Sequence, residues 1–177
     1  MDGFQKPDPV EADIIRIVET IAEEARTADD WSYRKWTSEI TQRLGKLGAS
    51  LGYHPCCQQC WGMTDKAWGE FLWDLSWLKY SANGQLAGQP LALECESGND
   101  KDIDGDFSKL LVAGAAQHKV MIMGSKDPPE RHFARLQQIV ADSEIAPVGD
   151  RYLLMSWIPG DKFKSWVFVK TGRNSSA

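Results

Sequence analysis

The sequence predicts a single α/β domain spanning residues 1–177, with a helical segment over about 8–52 at its N-terminal side. Three observations predict it. Apolar residues recur at helical spacing in four places, two aromatic- and aliphatic-rich runs flank a turn at Asn83-Gly84, and a continuous apolar run from Lys119 to Met123 follows a helical segment. A chain of 177 residues is long enough to bury a core.

Asp8-Pro9-Val10-Glu11 has the form of a helix start: Asp caps, Pro occupies the first turn, and Glu reaches back to the cap amide. Val10, Ile14, Val18, Ile21, Ala22 and Ala25 carry the apolar stripe to about Thr27. Trp36, Ile40, Leu44, Leu47 and Leu51 form a second stripe, which Gly45 and Gly48 weaken and Gly52 ends. Residues 53–65, with prolines, glycines and three cysteines but no periodicity, read as a loop.

From Glu70 to Tyr80, Phe71, Trp73, Leu75 and Trp77 alternate with Leu72, Asp74, Ser76 and Leu78, which predicts a strand. A second strand follows the turn, from Leu91 to about Ser97, and the two are expected to pair as a hairpin. Ile103, Phe107, Leu110, Leu111 and Gly114 fit a helix ending near Gln117. The Lys119–Met123 run is the kind of strand covered on both faces, reached by a crossover. Asp127-Pro128-Pro129-Glu130 repeats the capping pattern ahead of a helix bearing Phe133, Leu136, Ile139 and Val140. Strands at 152–158 and 165–170, joined by a turn at Pro159-Gly160-Asp161, precede a frayed tail from Arg173.

No apolar run approaches the roughly 18 residues that cross a bilayer, and the first residues lack the basic start and apolar stretch of a signal peptide. A soluble, cytoplasmic protein without a membrane partner is expected. The four cysteines are too few for a disulfide framework, so reduced thiols are expected. His54, Cys56, Cys57 and Cys60 hold one C-x-x-C, but a structural zinc site takes a second pair, and none is visible. Most of the eight Trp residues fall on strand or helix faces, which assigns them to core packing rather than base stacking.

The net charge of −5 weighs against nucleic acid, yet it hides an asymmetry. Residues 1–106 carry 10 basic and 19 acidic side chains, a net of −9, and residues 107–177 carry 10 and 6, a net of +4. An acidic site beside a basic half is compatible with a polyanion held through metal ions. Glu94 and Glu96 share one face of their strand, and one hairpin register brings Asp74 beside Glu94. Crowded carboxylates repel, and a hard cation such as Mg²⁺ relieves that repulsion. Lys109, one turn beyond Asp106 on the following helix, is placed to orient or deprotonate a water. Asp102, Asp104 and Asp106 mimic a calcium loop, but its twelfth position is Ala113 where a bidentate Glu is needed.

Asp74 in one strand, Glu94-Cys95-Glu96 in the next and Asp106-Phe107-Ser108-Lys109-Leu110-Leu111 opening a helix resemble the PD-(D/E)XK nuclease superfamily, over about residues 36–125. The resemblance implies a restriction-endonuclease-like three-layer sandwich, a central mixed sheet flanked by helices. It implies Asp74 and Glu94 as ligands of Mg²⁺ (or Mn²⁺), and phosphodiester hydrolysis of nucleic acid, DNA ahead of RNA. Position 96 is Glu where the family's motif has Lys; some members place a second Glu there, and others move the Lys to the next helix. Glu96 is then a third acidic group, or Lys109 the migrated lysine, and the catalytic set is Asp74, Glu94, Glu96 and Lys109. Family members often pair to cut two strands, so a homodimer is a possible state. The rival expectations are a catalytically inactive module that binds nucleic acid or protein, and a metal-dependent hydrolase of smaller phosphoesters.

Overall fold

The structure is a computed structural model that describes residues 4–28, 32–67, 69–114, 116–124, 127–157 and 163–172. Helix α1 (Pro9–Thr27) starts where expected: the Asp8 carboxylate accepts from the Glu11 amide and the Glu11 carboxylate from the Asp8 amide, both at 2.9 Å. Helix α2 (Tyr33–Ser50) is capped by Ser32 and buries Trp36, Ile40 and Leu44. Gly45 and Gly48 lie within its buried face; Gly48 lets the helix approach Trp77 of the sheet, and Gly45 leaves room for the Cys60 sulfur and Met63. A Cβ on Gly48 would lie 2.5 Å from the Trp77 indole nitrogen, which donates to the Leu44 carbonyl at 3.1 Å.

Six strands form one mixed sheet in the order β1 to β6: β1 (His54–Cys56), β2 (Leu75–Tyr80), β3 (Leu86–Glu96), β4 (Ala116–Gly124), β5 (Arg151–Trp157) and β6 (Lys164–Val169). The β1–β2, β2–β3 and β5–β6 pairs are antiparallel, and β3, β4 and β5 run parallel. The two parallel connections carry helices, α3 (Asp100–Val112) and α4 (Pro129–Asp142).

Alternation along the strands divides the core into two layers. Leu91, Leu93 and Cys95 of β3 join Ile14, Ile40 and Leu44 of α1 and α2, whereas Ala92 joins Phe107 and Leu110 of α3 and Phe133 of α4. The result is an α/β sandwich: two helices, a six-stranded open sheet, two helices. No helix among the described residues is long and apolar enough to cross a membrane.

Several local expectations are corrected. The segment after Gly52 supplies an edge strand, β1. The strand expected from Glu70 begins only at Leu75; before it, Phe71 and Trp73 bridge each other around Leu72, whose φ of 68° is left-handed. Helix α3 stops at Val112, and Gln117 belongs to β4. Asp127 does not cap α4, whose N-cap is Pro128; its carboxylate pairs with Arg131 at 2.9 Å. Cys57 and Cys60 are joined as a disulfide where reduced thiols were expected, and Cys56 and Cys95 are free and buried. With two of its sulfurs joined to each other, the loop loses the ligand set of a zinc site. The Pro159-Gly160-Asp161 turn and the tail from Arg173 lie outside the described residues.

Candidate functional site

The β2–β3 register of Leu75 with Leu93 and Ser76 with Ala92 continues outward to bring Asp74, the residue before β2, opposite Glu94. Directly opposed residues of an antiparallel pair send their side chains to the same face. Asp74 does more than face Glu94: its Oδ2 accepts from the Cys95 amide at 2.8 Å, and so takes the place of a ladder bond at the end of the strand. The Trp73 indole donates to the Lys109 carbonyl at 3.3 Å and ties this end of β2 to the last turn of α3.

Glu94 has the parity of Ala92 and points towards α3, where its side chain is 1% exposed. Lys109 reaches down from α3 and places Nζ 3.3 Å from Glu94 Oε1 and 2.7 Å from Asp106 Oδ1. The Glu94 contact is an ion pair without hydrogen-bond geometry; Oε1 is a buried acceptor with no hydrogen-bond partner among the described residues. Glu96 lines the same cleft, but its Oε1 accepts from the Ser97 and Gly98 amides, both at 2.6 Å.

These groups stand at one end of a cleft of about 790 Å³ outside the C-terminal end of β3, bounded on the other side by the first turns of α2 and by Gln58 and Gln59. Crevices at the carboxyl ends of parallel strands are where α/β sheets bind ligands. Tyr33 of α2 donates to the Cys95 carbonyl at 2.8 Å and holds that wall in place.

The electrostatics follow from burial. Desolvation, and then the Asp74 charge, push Glu94 up to about 8 against the pull of Lys109. Desolvation also raises Asp74, although the Cys95 amide bond favours its charged form. For Lys109 burial opposes the charge, but the bond to Asp106 and the Glu94 charge prevail and raise its pKa. Burial and the surrounding carboxylates hold the Cys95 thiol well above its usual range, so it is no nucleophile.

Of the four residues read from the sequence, Asp74, Glu94 and Lys109 therefore come together, and Glu96 shares the cleft while engaged with backbone. Asp106 and Glu70, which add charge to Asp74, are not among the site residues read from the sequence; Asp106 appears there only as the start of the Lys109-bearing helix segment and in the rejected calcium-loop spacing. Among the described residues, the groups whose ligand atoms gather within 4.8 Å of one another are Asp8, Glu11 and His118, and Asp100, Asp127 and His132; the Asp74–Glu94–Glu96 set is not one of them. In the first, Arg151 already neutralises Glu11 through two bonds of 2.7 and 2.6 Å. In the second, Arg131 and Arg135 pair with Asp100.

Comparisons of the chain with protein-family models, with curated proteins and with solved structures found no match in any of the three.

Proposed function

We propose that the protein is a divalent-metal-dependent nuclease of restriction-endonuclease-like fold, hydrolysing phosphodiester bonds of nucleic acid, DNA ahead of RNA. One observation carries the reading: a lysine from the helix after β3 is held 3.3 Å from a buried strand glutamate, with Asp74 opposite that glutamate on the neighbouring strand. That arrangement favours Lys109 as the migrated lysine.

The donor chemistry supports a hard cation, although the ligand atoms of Asp74, Glu94 and Glu96 do not all gather within 4.8 Å of one another. The donors are all carboxylate oxygens, Glu94 Oε1 is buried without a hydrogen bond among the described residues, and a cationic ammonium already stands between Glu94 and Asp106. Asp74 and Glu94 would hold the ion, with Glu96 as the third acid. A bound Mg²⁺ or Mn²⁺ supplies an acidified water and charge neutralisation at the phosphate. The chain's own residues do the rest. Asp106 anchors the Lys109 ammonium, which has a further proton with which to orient the attacking water or a phosphate oxygen. The Cys95 amide favours the charged form of Asp74 against the opposing effect of burial and fixes the carboxylate in direction.

The test is cleavage of plasmid and oligonucleotide substrates with Mg²⁺ or Mn²⁺ by wild type, Asp74→Ala and Glu94→Ala. Both variants should lose activity; equal cleavage by all three proteins removes the proposal. A second reading, a binding module without turnover, is favoured by the spread of the carboxylates and by the engagement of Glu96 with backbone amides. Calorimetry separates the two, since a binding module has no reason to take up Mg²⁺ at these acids.

A further inference from the structure

Among the described tryptophans, Trp36, Trp73 and Trp77 are buried and Trp157 and Trp166 half-buried, as core packing requires. Trp61 departs from that use: it is 72% exposed. It directly follows the disulfide-closed turn whose two central residues, Gln58 and Gln59, line the cleft, and its indole lies over Gly69, next to the cleft residue Glu70. Phe71, 46% exposed, comes immediately after Glu70. Two exposed aromatic rings therefore stand at the same rim of the candidate site.

The backbone that presents them is held rather than loose. The Ser76 hydroxyl donates to the Phe71 carbonyl at 3.4 Å, Phe71 and Trp73 bridge each other, and Asp74 is fixed by the Cys95 amide. On the Trp61 side, the Cys60 amide donates to the Cys57 carbonyl at 3.1 Å and the Met63 amide to the Cys60 carbonyl at 3.1 Å. Between Phe71 and Trp73, Leu72 takes a left-handed φ of 68° with its side chain 75% exposed. Neither packing nor backbone comfort accounts for an apolar residue held that way, and strain of this kind gathers at ligand sites.

Rigid, exposed aromatic rings beside a cleft suit the flat faces of nucleobases, which stack at low entropic cost. Arg34, in the first turn of α2 and also lining the cleft, is exposed and without an ion pair among the described residues, and suits a phosphate. A protein partner suits the rim less well, because Glu70 stands between the apolar side chains and interface centres are depleted of charge. In a duplex the base faces are covered by their neighbours, so rings standing out from a rim reach them only where pairing is open.

We propose that Trp61 and Phe71 form a stacking platform for unpaired nucleobases, so that the substrate is single-stranded or locally unpaired nucleic acid whose backbone runs from that platform into the cleft towards Arg34. This rests on the nuclease reading.

The test is fluorescence anisotropy in Mg²⁺ with a short, phosphorothioate-protected, labelled DNA strand, its duplex form, and a strand of the same length whose central bases are replaced by abasic sites. Trp61→Ala and Phe71→Ala should each weaken binding of the single strand by about tenfold, the worth of one stacked base. Neither should change binding of the abasic strand, which wild type, losing both stacked bases, should bind about a hundredfold more weakly than the intact strand. Val148→Ala, at an exposed apolar position outside the cleft lining, should bind as wild type does. The proposal is overturned if the aromatic variants bind the single strand like wild type, if duplex and single strand lose affinity equally, or if the variants also weaken the abasic strand. Should wild type cleave DNA while the aromatic variants bind normally, the platform fails and the nuclease reading stands. Should wild type neither bind nor cleave, both fail.

Discussion

Replacing Glu94 by Gln keeps the shape of the side chain and removes its charge, so the variant isolates what a buried carboxylate costs the metal-free protein. Burial first, and the Asp74 charge second, push the Glu94 carboxyl up to about 8 from an ordinary 4.5. A carboxyl raised in the folded state binds its proton more tightly there than in the unfolded chain. Its contribution to stability is therefore fully present below 4.5 and is lost as the pH climbs through about 8. At about 1.4 kcal/mol per pH unit the whole gap sets an upper bound of about 5 kcal/mol. Movement of the half-exposed Lys109 towards Glu94 reduces it, so a loss on the order of 2–5 kcal/mol is expected. The assay is urea unfolding of wild type and Glu94→Gln with EDTA at about pH 5, 7 and 9. The two should be within about 1 kcal/mol of each other at pH 5, with the variant progressively more stable towards pH 9. Titrating groups away from the site are common to both proteins, so the difference reports Glu94 together with the two groups its charge couples to, Asp74 and Lys109; a difference that stays flat from pH 5 to 9 would refute the reasoning. A residue that destabilises its own fold in its ionised form is what a functional site exhibits.

Other outcomes follow from the same contacts. Gly48→Ala should destabilise the protein by about 2–4 kcal/mol, since the new methyl displaces the Trp77 indole and its bond to Leu44 by more than the roughly 1 kcal/mol gained in helix propensity; stabilisation in urea unfolding would count against the α2–β2 packing. Arg151→Met leaves Glu11, 1% exposed, without its cation and should cost about 3–5 kcal/mol by the same measurement. Lys109→Met should reduce the cleavage rate by roughly 10²- to 10⁴-fold while calorimetric Mn²⁺ uptake persists; loss of both would make Lys109 a structural counter-ion only.

What could be read from the residues was what local chemistry dictates. The Asp8–Glu11 capping box, the stripes of α1 and α2 and the alternation that turns Glu94 and Glu96 to the same cleft depend on neighbours in sequence, and each is present. What could not be read depends on distant partners. Gly48 looks like a weak point in a helix until Trp77 is seen packed against it, and the Phe71–Trp73 turn hides inside a strand-like alternation because its left-handed residue is Leu rather than Gly. Glu96 has the right parity for the site, yet the Ser97 and Gly98 amides at the approach to α3 claim its carboxylate. Asp106 became part of the site only through the three-dimensional meeting of α3 with β3.

The central claim is that Asp74 and Glu94 share a divalent ion. Anomalous diffraction at the manganese edge from crystals soaked in Mn²⁺ tests it most directly. A peak is expected between the Asp74 and Glu94 carboxylates, within coordination distance of both. A map with no peak there, or with density only at Asp8, Glu11 and His118 or at Asp100, Asp127 and His132, would contradict it.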